Sequence, residues 1–189
     1  AAGLLLTAGC GKSEKSVAAP TPAAPPAGPS FAVLETDKGV VEFELLVSDA
    51  PKTTENFRLL AERGYYNGLT FHRIVKGFMI QGGGFEPDMK QKSTLDPIDN
   101  EAENGLKNDR YTIAMARTSD PHSATAQFFI NVGDNEFLNY PGSDGWGYAV
   151  FGHVVSGTEI VDALEGVKTG RNGFHDDVPK DPIVIEKAV

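Results

Sequence analysis

The chain has 189 residues and a formal net charge of −9, which gives a surface that repels phosphate backbones, so nucleic acid is not expected as a partner. Its single cysteine, Cys10, rules out a disulfide or a CxxC metal or redox pair within this sequence. The four histidines are scattered, without the close spacing of metal ligands, and we expect neither a metal nor a cofactor.

The residues before position 31 predict a targeting segment and a spacer. Residues 1–9 are small and apolar, as in the remnant of a signal peptide, and end directly before Cys10. Residues 10–30 are rich in proline and alanine and too poor in large apolar side chains to fold, which predicts a disordered linker. The common alternative for an isolated cysteine is a small buried apolar residue, but its position here favours a role in targeting.

The string "LLTAGC" resembles a bacterial lipobox, the motif in which cleavage leaves the cysteine to be acylated. The resemblance implies a lipidated Cys10, and several buried acyl chains would make such an anchor effectively permanent. Gly11, rather than an aspartate, follows the cysteine, which implies the outer membrane and a periplasmic location. This lipid anchor is the one membrane contact we expect.

The folded domain is predicted to span residues 31–189. Its strands are short apolar runs of β type, and they cover residues 31–46 (a hairpin around Asp37-Lys38-Gly39), 65–75, 77–84, 111–117, 126–132, 147–157 and 181–189. Helices are predicted over residues 49–64, with Pro51 in the first turn, and 158–166. Residues 84–110 predict a long loop. This pattern favours an all-β, closed antiparallel barrel capped by the two helices, although a β-sandwich fits nearly as well.

The stretch "FHRIVKGFMIQGGG", residues 71–84, carries more polar groups than a core hairpin needs. Strict alternation places Phe71 beside Arg73 on one side of the first strand, and Phe78 beside Ile80 on one side of the second. Arg73 is then either an edge charge whose stem lies on apolar surface, or a hydrogen-bond donor directed into an apolar groove. The three glycines at 82–84 predict a bulge or tight turn, because the phosphate-binding patterns GxxxxGK[ST] and GxGxxG are absent.

Covalent chemistry is not indicated by this sequence. A nucleophile elbow GxSxG is missing, and no Ser–His or Cys–His pair can be proposed from the spacing. The polar groups of residues 71–84 therefore predict binding of a largely apolar ligand through one or two hydrogen bonds.

The same stretch looks like the signature of the cyclophilins, the peptidyl-prolyl cis–trans isomerases. The resemblance continues in order through "GFEPDMKQKS", "NEAENGLKNDRYTIAMAR", "HSATAQFFINV", "EFLN" and "GWGYAVFGHVV", and covers the chain from about residue 31 to its end. It implies an eight-stranded antiparallel barrel capped by two helices, with the active groove on the outer wall. It also implies an enzyme that assists protein folding, with proline-containing peptides and unfolded proteins as substrates. Nothing in the sequence indicates an obligate dimer, and we expect a monomer.

Carried over position by position, the resemblance implies that Arg73 is the catalytic residue. The other groove residues are a pocket for the proline ring, polar contacts beside it, and the adjoining wall. They are Phe78, Met79, Phe129 and Leu138 in the pocket, Gln81 and Gln127 as polar contacts, Ala116 and Arg117 along the groove, and His72 nearby. Without the ordered match, the four pocket residues would be interpreted as core.

Three positions depart from the best-known members of the family. Phe137 stands where many have tryptophan, so we expect weak rather than tight binding of cyclosporin. Arg117 stands where eukaryotic members have asparagine, but the substrate contact there is implied to be through the backbone. Tyr148 replaces a histidine at the pocket rim and keeps a ring with a polar tip, so we expect an altered preference rather than loss of binding.

Two other functions stay open at this point. A binding module or chaperone could use the groove without turnover, and a surface-tethered envelope protein could use the barrel only as a scaffold. An intact Arg73 favours the enzyme, since a pure binder could dispense with the arginine. The preserved apolar lining argues against a scaffold whose groove is unused.

Overall fold

The computed structural model describes residues 29–189. The signal-peptide remnant (1–9), Cys10 and the linker up to residue 28 lie outside the described residues, so the interpretations of them stay predictions. The first strand begins at Ser30, one residue before the predicted start of the domain. Within residues 29–189 no helix is long and apolar enough to cross a bilayer.

This part of the chain forms ten strands, two α-helices and two short 3-10 helices. The strands are β1 (Ser30–Thr36), β2 (Gly39–Leu45), β3 (Thr70–Val75), β4 (Met79–Phe85), β5 (Thr112–Met115), β6 (Phe128–Asn131), β7 (Val150–Ser156), β8 (Thr169–Asn172), β9 (His175–Pro179) and β10 (Ile185–Ala188). The helices are α1 (Pro51–Glu62) and α2 (Thr158–Glu165), and the 3-10 helices cover Ala102–Asn104 and Glu136–Leu138.

Eight of these strands form one antiparallel sheet in the order β10-β1-β2-β7-β5-β6-β4-β3. The two ends of this order meet, because Phe71 N donates to Ile183 O at 3.0 Å and Ile185 N donates to Leu69 O at 2.8 Å. These hydrogen bonds nearly close the sheet into a barrel. The predicted all-β fold, an eight-stranded antiparallel barrel with two helices, is confirmed, and the alternative sandwich is not formed.

Aromatic side chains fill the barrel interior. The ring of Phe57, from α1, lies 5.0 Å from that of Tyr66, 5.6 Å from Phe128 and 5.4 Å from Phe151. All four side chains are fully buried, and Leu164 of α2 joins the same core. Burial of each large apolar side chain contributes about 1.5–3 kcal/mol, so the interior is a firm support for residues on the outer wall.

The long loop predicted over residues 84–110 is packed along the barrel. Ala50, at the start of α1, offers no side-chain cap, and Glu101 from this loop takes that role. Its carboxylate accepts from Lys52 N at 3.1 Å and from Thr53 N at 2.8 Å. A carboxylate at the positive end of a helix is favourable, so the loop and α1 hold each other in place.

The structure departs from the prediction between α2 and β10. A separate two-stranded hairpin, β8 with β9, lies there and packs beside β3. Its strands, "TGRN" and "HDDVP", are largely polar, with only Val178 and Pro179 buried, so they lack the alternation that marks the other strands. Asp177 in β9 brings this hairpin beside Arg73.

Candidate active site

A bulge in β3 sets the direction of Arg73. The pairing with β4 runs from Phe71 opposite Gly82 to Arg73 opposite Gln81, so His72 is an extra residue in β3. The bulge resets the alternation, and Phe71 and Ile74 both lie in the barrel core. Arg73 is half-exposed on the outer wall. The expectation that Phe71 shares a side with Arg73 was wrong, because a bulge shifts every later side chain to the opposite face.

The glycines of β4 form the predicted bulge. Phe85 pairs with Thr70 and Gly82 with Phe71, so Gly83 and Gly84 have no partner in β3. Only glycine fits at Gly83, where φ is +81° and a Cβ would lie 2.9 Å from the ring of Phe128.

A second apolar cluster, separate from the core, lies on the outer wall beside Arg73. Met79, Phe129 and Leu138 are its buried members among the predicted pocket residues. Ala114 and Val150 complete the buried floor. Neighbouring strand residues alternate, so that Ile80 faces the core while Met79 faces this cluster. We call the cluster the groove.

Phe78 also packs against the groove, together with Ala116 and Tyr148. The expectation that Phe78 lies on the same side as Ile80 was wrong, because β4 begins only at Met79 and Phe78 belongs to the preceding turn. Ala116 N donates to Gln127 O at 2.9 Å, which fixes the wall beside the cluster.

Two aromatic residues form the rim of the groove. The ring of Phe137 is 60% exposed and stacks on Phe78 with 5.6 Å between centroids. Tyr148 meets Phe129 edge-on at 5.8 Å. Both rim rings therefore border the pocket that their sequence positions predict.

Arg117 has a structural role that the sequence did not predict. Its side chain is almost fully buried, and it donates to Gly147 O at 3.0 Å, pairs with Asp144 and lies 4.3 Å over the ring of Tyr148. The hydrogen bond from Arg117 lowers the pKa of the Asp144 carboxyl to about 2, so this pair stays charged at neutral pH. The guanidinium of Arg117 is bound to the loop that carries Tyr148. Any contact of Arg117 with a substrate is therefore expected to be through its backbone.

The polar contacts of the groove come from two glutamines. Gln81 lies opposite both Arg73 and Phe129 in the sheet, and its Nε2 donates to Gln127 Oε1 at 2.9 Å. Gly84 leaves the space for this pair, because a Cβ there would lie 2.5 Å from Gln127 Cγ. The two glutamines and Arg73 line the same surface of the outer wall.

His72 lies close to Arg73 but outside the apolar cluster. It is buried, its ring is 4.6 Å from that of Phe85, and burial lowers its pKa to about 4. At neutral pH it is an uncharged ring. No group of three or more possible metal ligands occurs in residues 29–189.

The β8–β9 hairpin was not predicted from the sequence, and its tip is part of the surface around Arg73. Asp177 is the one carboxylate within ion-pair distance of Arg73 in the described part of the chain, with 3.8 Å between Arg73 Nε and Asp177 Oδ2. The dipeptide Asn172-Gly173 was the available signal, since it is typical of a tight hairpin turn.

Comparison with known proteins gives one consistent result. A sequence model of the family described as cyclophilin type peptidyl-prolyl cis-trans isomerase/CLD matches residues 31–189. The chain is 61% identical over 157 residues to peptidyl-prolyl cis-trans isomerase cyp18 of Streptomyces antibioticus, which covers 82% of this chain and 95% of the relative. It is 58% identical over 153 residues to peptidyl-prolyl cis-trans isomerase B of Escherichia coli strain K12, with 80% and 93% covered.

A solved structure shares the fold. It is a cyclophilin type peptidyl-prolyl cis-trans isomerase of Cryptosporidium parvum, crystallised in the presence of the dipeptide ala-pro. The two structures match with a TM-score of 0.73 at 32% identity, over 85% of this chain and 98% of that one.

The structure is a nearly closed barrel with an apolar groove and a half-exposed arginine on its outer wall. With the family model and these relatives, the chain belongs to the cyclophilin-type peptidyl-prolyl cis–trans isomerases. It is thus an enzyme that accelerates rotation about X–Pro peptide bonds. The roles of its individual groove residues stay predictions.

Proposed function

We propose that Arg73 lowers the barrier to rotation by donating a hydrogen bond to the prolyl nitrogen of a bound X–Pro peptide. Amide resonance makes this barrier about 18–20 kcal/mol, and uncatalysed rotation takes tens to hundreds of seconds. Rotation in milliseconds needs about a 10⁴–10⁵-fold acceleration, which corresponds to about 5.5–7 kcal/mol. No bond breaks, so the step needs no nucleophile.

Twisting the amide localises a lone pair on the prolyl nitrogen. A guanidinium beside that nitrogen donates to it mainly in the twisted state, which is differential stabilisation of the transition state. The observation that carries this assignment is the position of Arg73 at the edge of the groove with its side chain half-exposed. Its 3.8 Å separation from Asp177 exceeds hydrogen-bond distance, so its N–H groups are available to a substrate.

The rest of the groove supports the same chemistry. Met79, Phe129 and Leu138 offer an apolar pocket for the proline ring. Such a pocket disfavours the charge-separated planar amide relative to water and strengthens the hydrogen bond from Arg73. Gln81 helps to hold Arg73 and, with Gln127, contacts the peptide. The crystallisation of the Cryptosporidium parvum relative with ala-pro supports proline-containing peptides and unfolded proteins as the substrates.

The test is an isomerisation assay on a short X–Pro peptide, coupled to a protease that cleaves only one isomer. Arg73→Ala is expected to lower kcat/KM by a hundredfold or more, about 2.7 kcal/mol or above, with an unchanged melting temperature. Arg63→Ala, an exposed arginine just after α1, is the matched control and should leave kcat/KM unchanged. Near-normal turnover of Arg73→Ala would remove Arg73 from the mechanism.

We also propose that the enzyme works in the periplasm as a monomer tethered to the outer membrane through a lipidated Cys10. The lipobox-like string and the Pro/Ala-rich linker support the tether, and one chain supplies every residue of the groove. Mass spectrometry of protein from a bacterial host should find acyl mass on Cys10, and Cys10→Ala should move the protein to the soluble fraction. Unmodified, membrane-free wild type would refute the anchor.

For cyclosporin we propose weak binding. Phe137 is a smaller ring than tryptophan at an exposed rim position, so it offers less apolar contact to a large ligand. Phe137→Trp should tighten cyclosporin binding measured by calorimetry, and an unchanged dissociation constant would contradict this reason.

A further inference from the structure

A second cavity of about 550 Å³ lies on the other side of Arg73 from the apolar cluster; it shares none of the cluster's residues, but Gln81 and Gln127 border both. We call it the hairpin cavity, since the tip of the β8–β9 hairpin forms one of its sides. Its lining comes from β3, β4, the residue before β6 and the hairpin: His72, Arg73, Gln81, Phe85, Gln127, Phe174, His175, Asp176 and Asp177. A peptide bound with its proline beside Arg73 therefore has this cavity within reach of its flanking residues.

Aromatic rings make up much of this lining. The ring of Phe85 lies 4.6 Å from that of His72 and 5.2 Å from that of His175. Phe174, at the hairpin tip, is 96% exposed, so almost all of its ring surface is open to a ligand. Aromatic faces attract cations, and the alkyl stem of a long cationic side chain packs well on such a ring.

Two carboxylates stand beside these rings. Asp177 is 3.8 Å from Arg73, and Asp176 is 3.6 Å from Arg171, whose side chain is largely exposed. Both separations exceed hydrogen-bond distance, so both carboxylates keep free acceptor capacity. When Arg73 donates to a bound amide, Asp177 loses part of its only ion pair among the described residues, and a cation from the substrate can replace it.

His72 contributes a buried aromatic ring to the wall of this cavity. Its side chain is 5% exposed, and its Nδ1 has no hydrogen-bond partner in the described part of the chain. That atom has less than 1 Å² of exposed surface, so a ligand in the cavity would meet the His72 ring and not this nitrogen. Because the pKa of His72 is about 4, the ring is neutral at pH 7 and does not repel a cation.

We propose that the hairpin cavity is a specificity subsite that takes the side chain of a lysine or arginine flanking the substrate proline. Aromatic faces hold the alkyl stem, and Asp176 and Asp177 accept hydrogen bonds from the charged end. The inference rests on the proposed function of the groove, since it requires the proline to bind beside Arg73. In this proposal the β8–β9 hairpin, which is not part of the barrel sheet, determines which residues are preferred next to the substrate proline.

The experiment uses exchange NMR, which needs no auxiliary protease, on proline peptides that carry Lys, Arg, Glu or Ala at each flanking position in turn. At one of these positions we expect kcat/KM of wild type to be about tenfold higher for the Lys peptide than for the Glu peptide. This is the size expected when exposed carboxylates attract a lysine and repel a glutamate. In Asp176→Asn/Asp177→Asn this ratio should fall to about twofold. Asn tolerates the left-handed backbone of Asp177, where φ is +60°.

The matched control is Glu159→Gln/Glu186→Gln, which removes two exposed carboxylates from α2 and β10 and changes the net charge equally. It should keep the tenfold ratio, and high salt should lower the ratio in wild type. A wild-type ratio near one at every position, or a ratio that survives in the Asn variant, would overturn the proposal. The proposed role of Arg73 is tested separately, by turnover of the Ala peptide in Arg73→Ala, so the two can fail independently.

Discussion

Replacing Gly84 by alanine is expected to break the hydrogen bond between Gln81 and Gln127. The substitution leaves Arg73 itself unchanged. A Cβ at Gly84 would lie 2.5 Å from Gln127 Cγ and 2.6 Å from Cδ, closer than real Cβ atoms approach. The side chain of Gln127 must therefore leave its place. Gln81 Nε2 then loses the acceptor that it holds at 2.9 Å.

The size of the effect follows from these contacts. Gly84 has no positive φ, so alanine brings no backbone strain, and the cost is overpacking of about 1–3 kcal/mol. In a protein of this size that corresponds to a fall in Tm of about 2–12 °C. The lost hydrogen bond is worth about 0.5–1.5 kcal/mol, so kcat/KM should fall about 2-fold to 12-fold if the pair serves the transition state.

The measurements are thermal unfolding and isomerisation of an Ala-Pro peptide for four proteins. Gly84→Ala/Gln127→Ala removes the colliding atoms, so its Tm should recover while kcat/KM stays low. Gly166→Ala, where the nearest atom would be 3.5 Å away, is the matched control and should change neither quantity. Wild-type turnover in Gly84→Ala would show that the glutamine pair is dispensable, and a Tm that fails to recover would place the collision elsewhere.

Three further predictions concern stability and are checked by urea unfolding. Burial lowers the pKa of His72 from 6.5 to about 4, so as the pH falls the histidine of the unfolded chain is protonated before that of the folded chain. Between pH 7.5 and 4 the wild type should therefore lose about 3 kcal/mol of unfolding free energy relative to His72→Phe. Arg117→Ala removes the buried guanidinium that donates to Gly147 O and should cost about 2–4 kcal/mol, with no rescue by lysine, which lacks the planar fork. Gly83→Ala combines a φ of +81° with a Cβ 2.9 Å from Phe128 and should cost about 2–5 kcal/mol.

Each of these stability predictions has a contradicting result. Equal pH dependence of wild type and His72→Phe would mean that His72 titrates normally. A lysine that restores the stability lost in Arg117→Ala would mean that charge, rather than fork geometry, holds the loop. An unfolding free energy of Gly83→Ala within 0.5 kcal/mol of wild type would mean that the surrounding rings relax, against the expectation for a close-packed core.

The sequence by itself determined most of the strands and the family, and through the family resemblance it predicted the barrel. Alternating apolar runs specify strands locally, and the ordered motifs around Arg73, Gln81 and Phe129 identify the family whatever the details of packing. The three glycines predicted a bulge or a tight turn, and the structure forms a bulge in which Gly83 has a φ of +81°.

Only the tertiary structure decided which way several of these side chains point. The bulge at His72 separates Phe71 from Arg73, and the turn before β4 turns Phe78 toward the groove, because facing depends on the register of paired strands. The capture of Arg117 by the loop around Gly147 involves residues thirty positions apart, which no local pattern records. The hairpin cavity also depends on long-range packing, because its polar strands carry no periodic signal and reach Arg73 only when the barrel has formed.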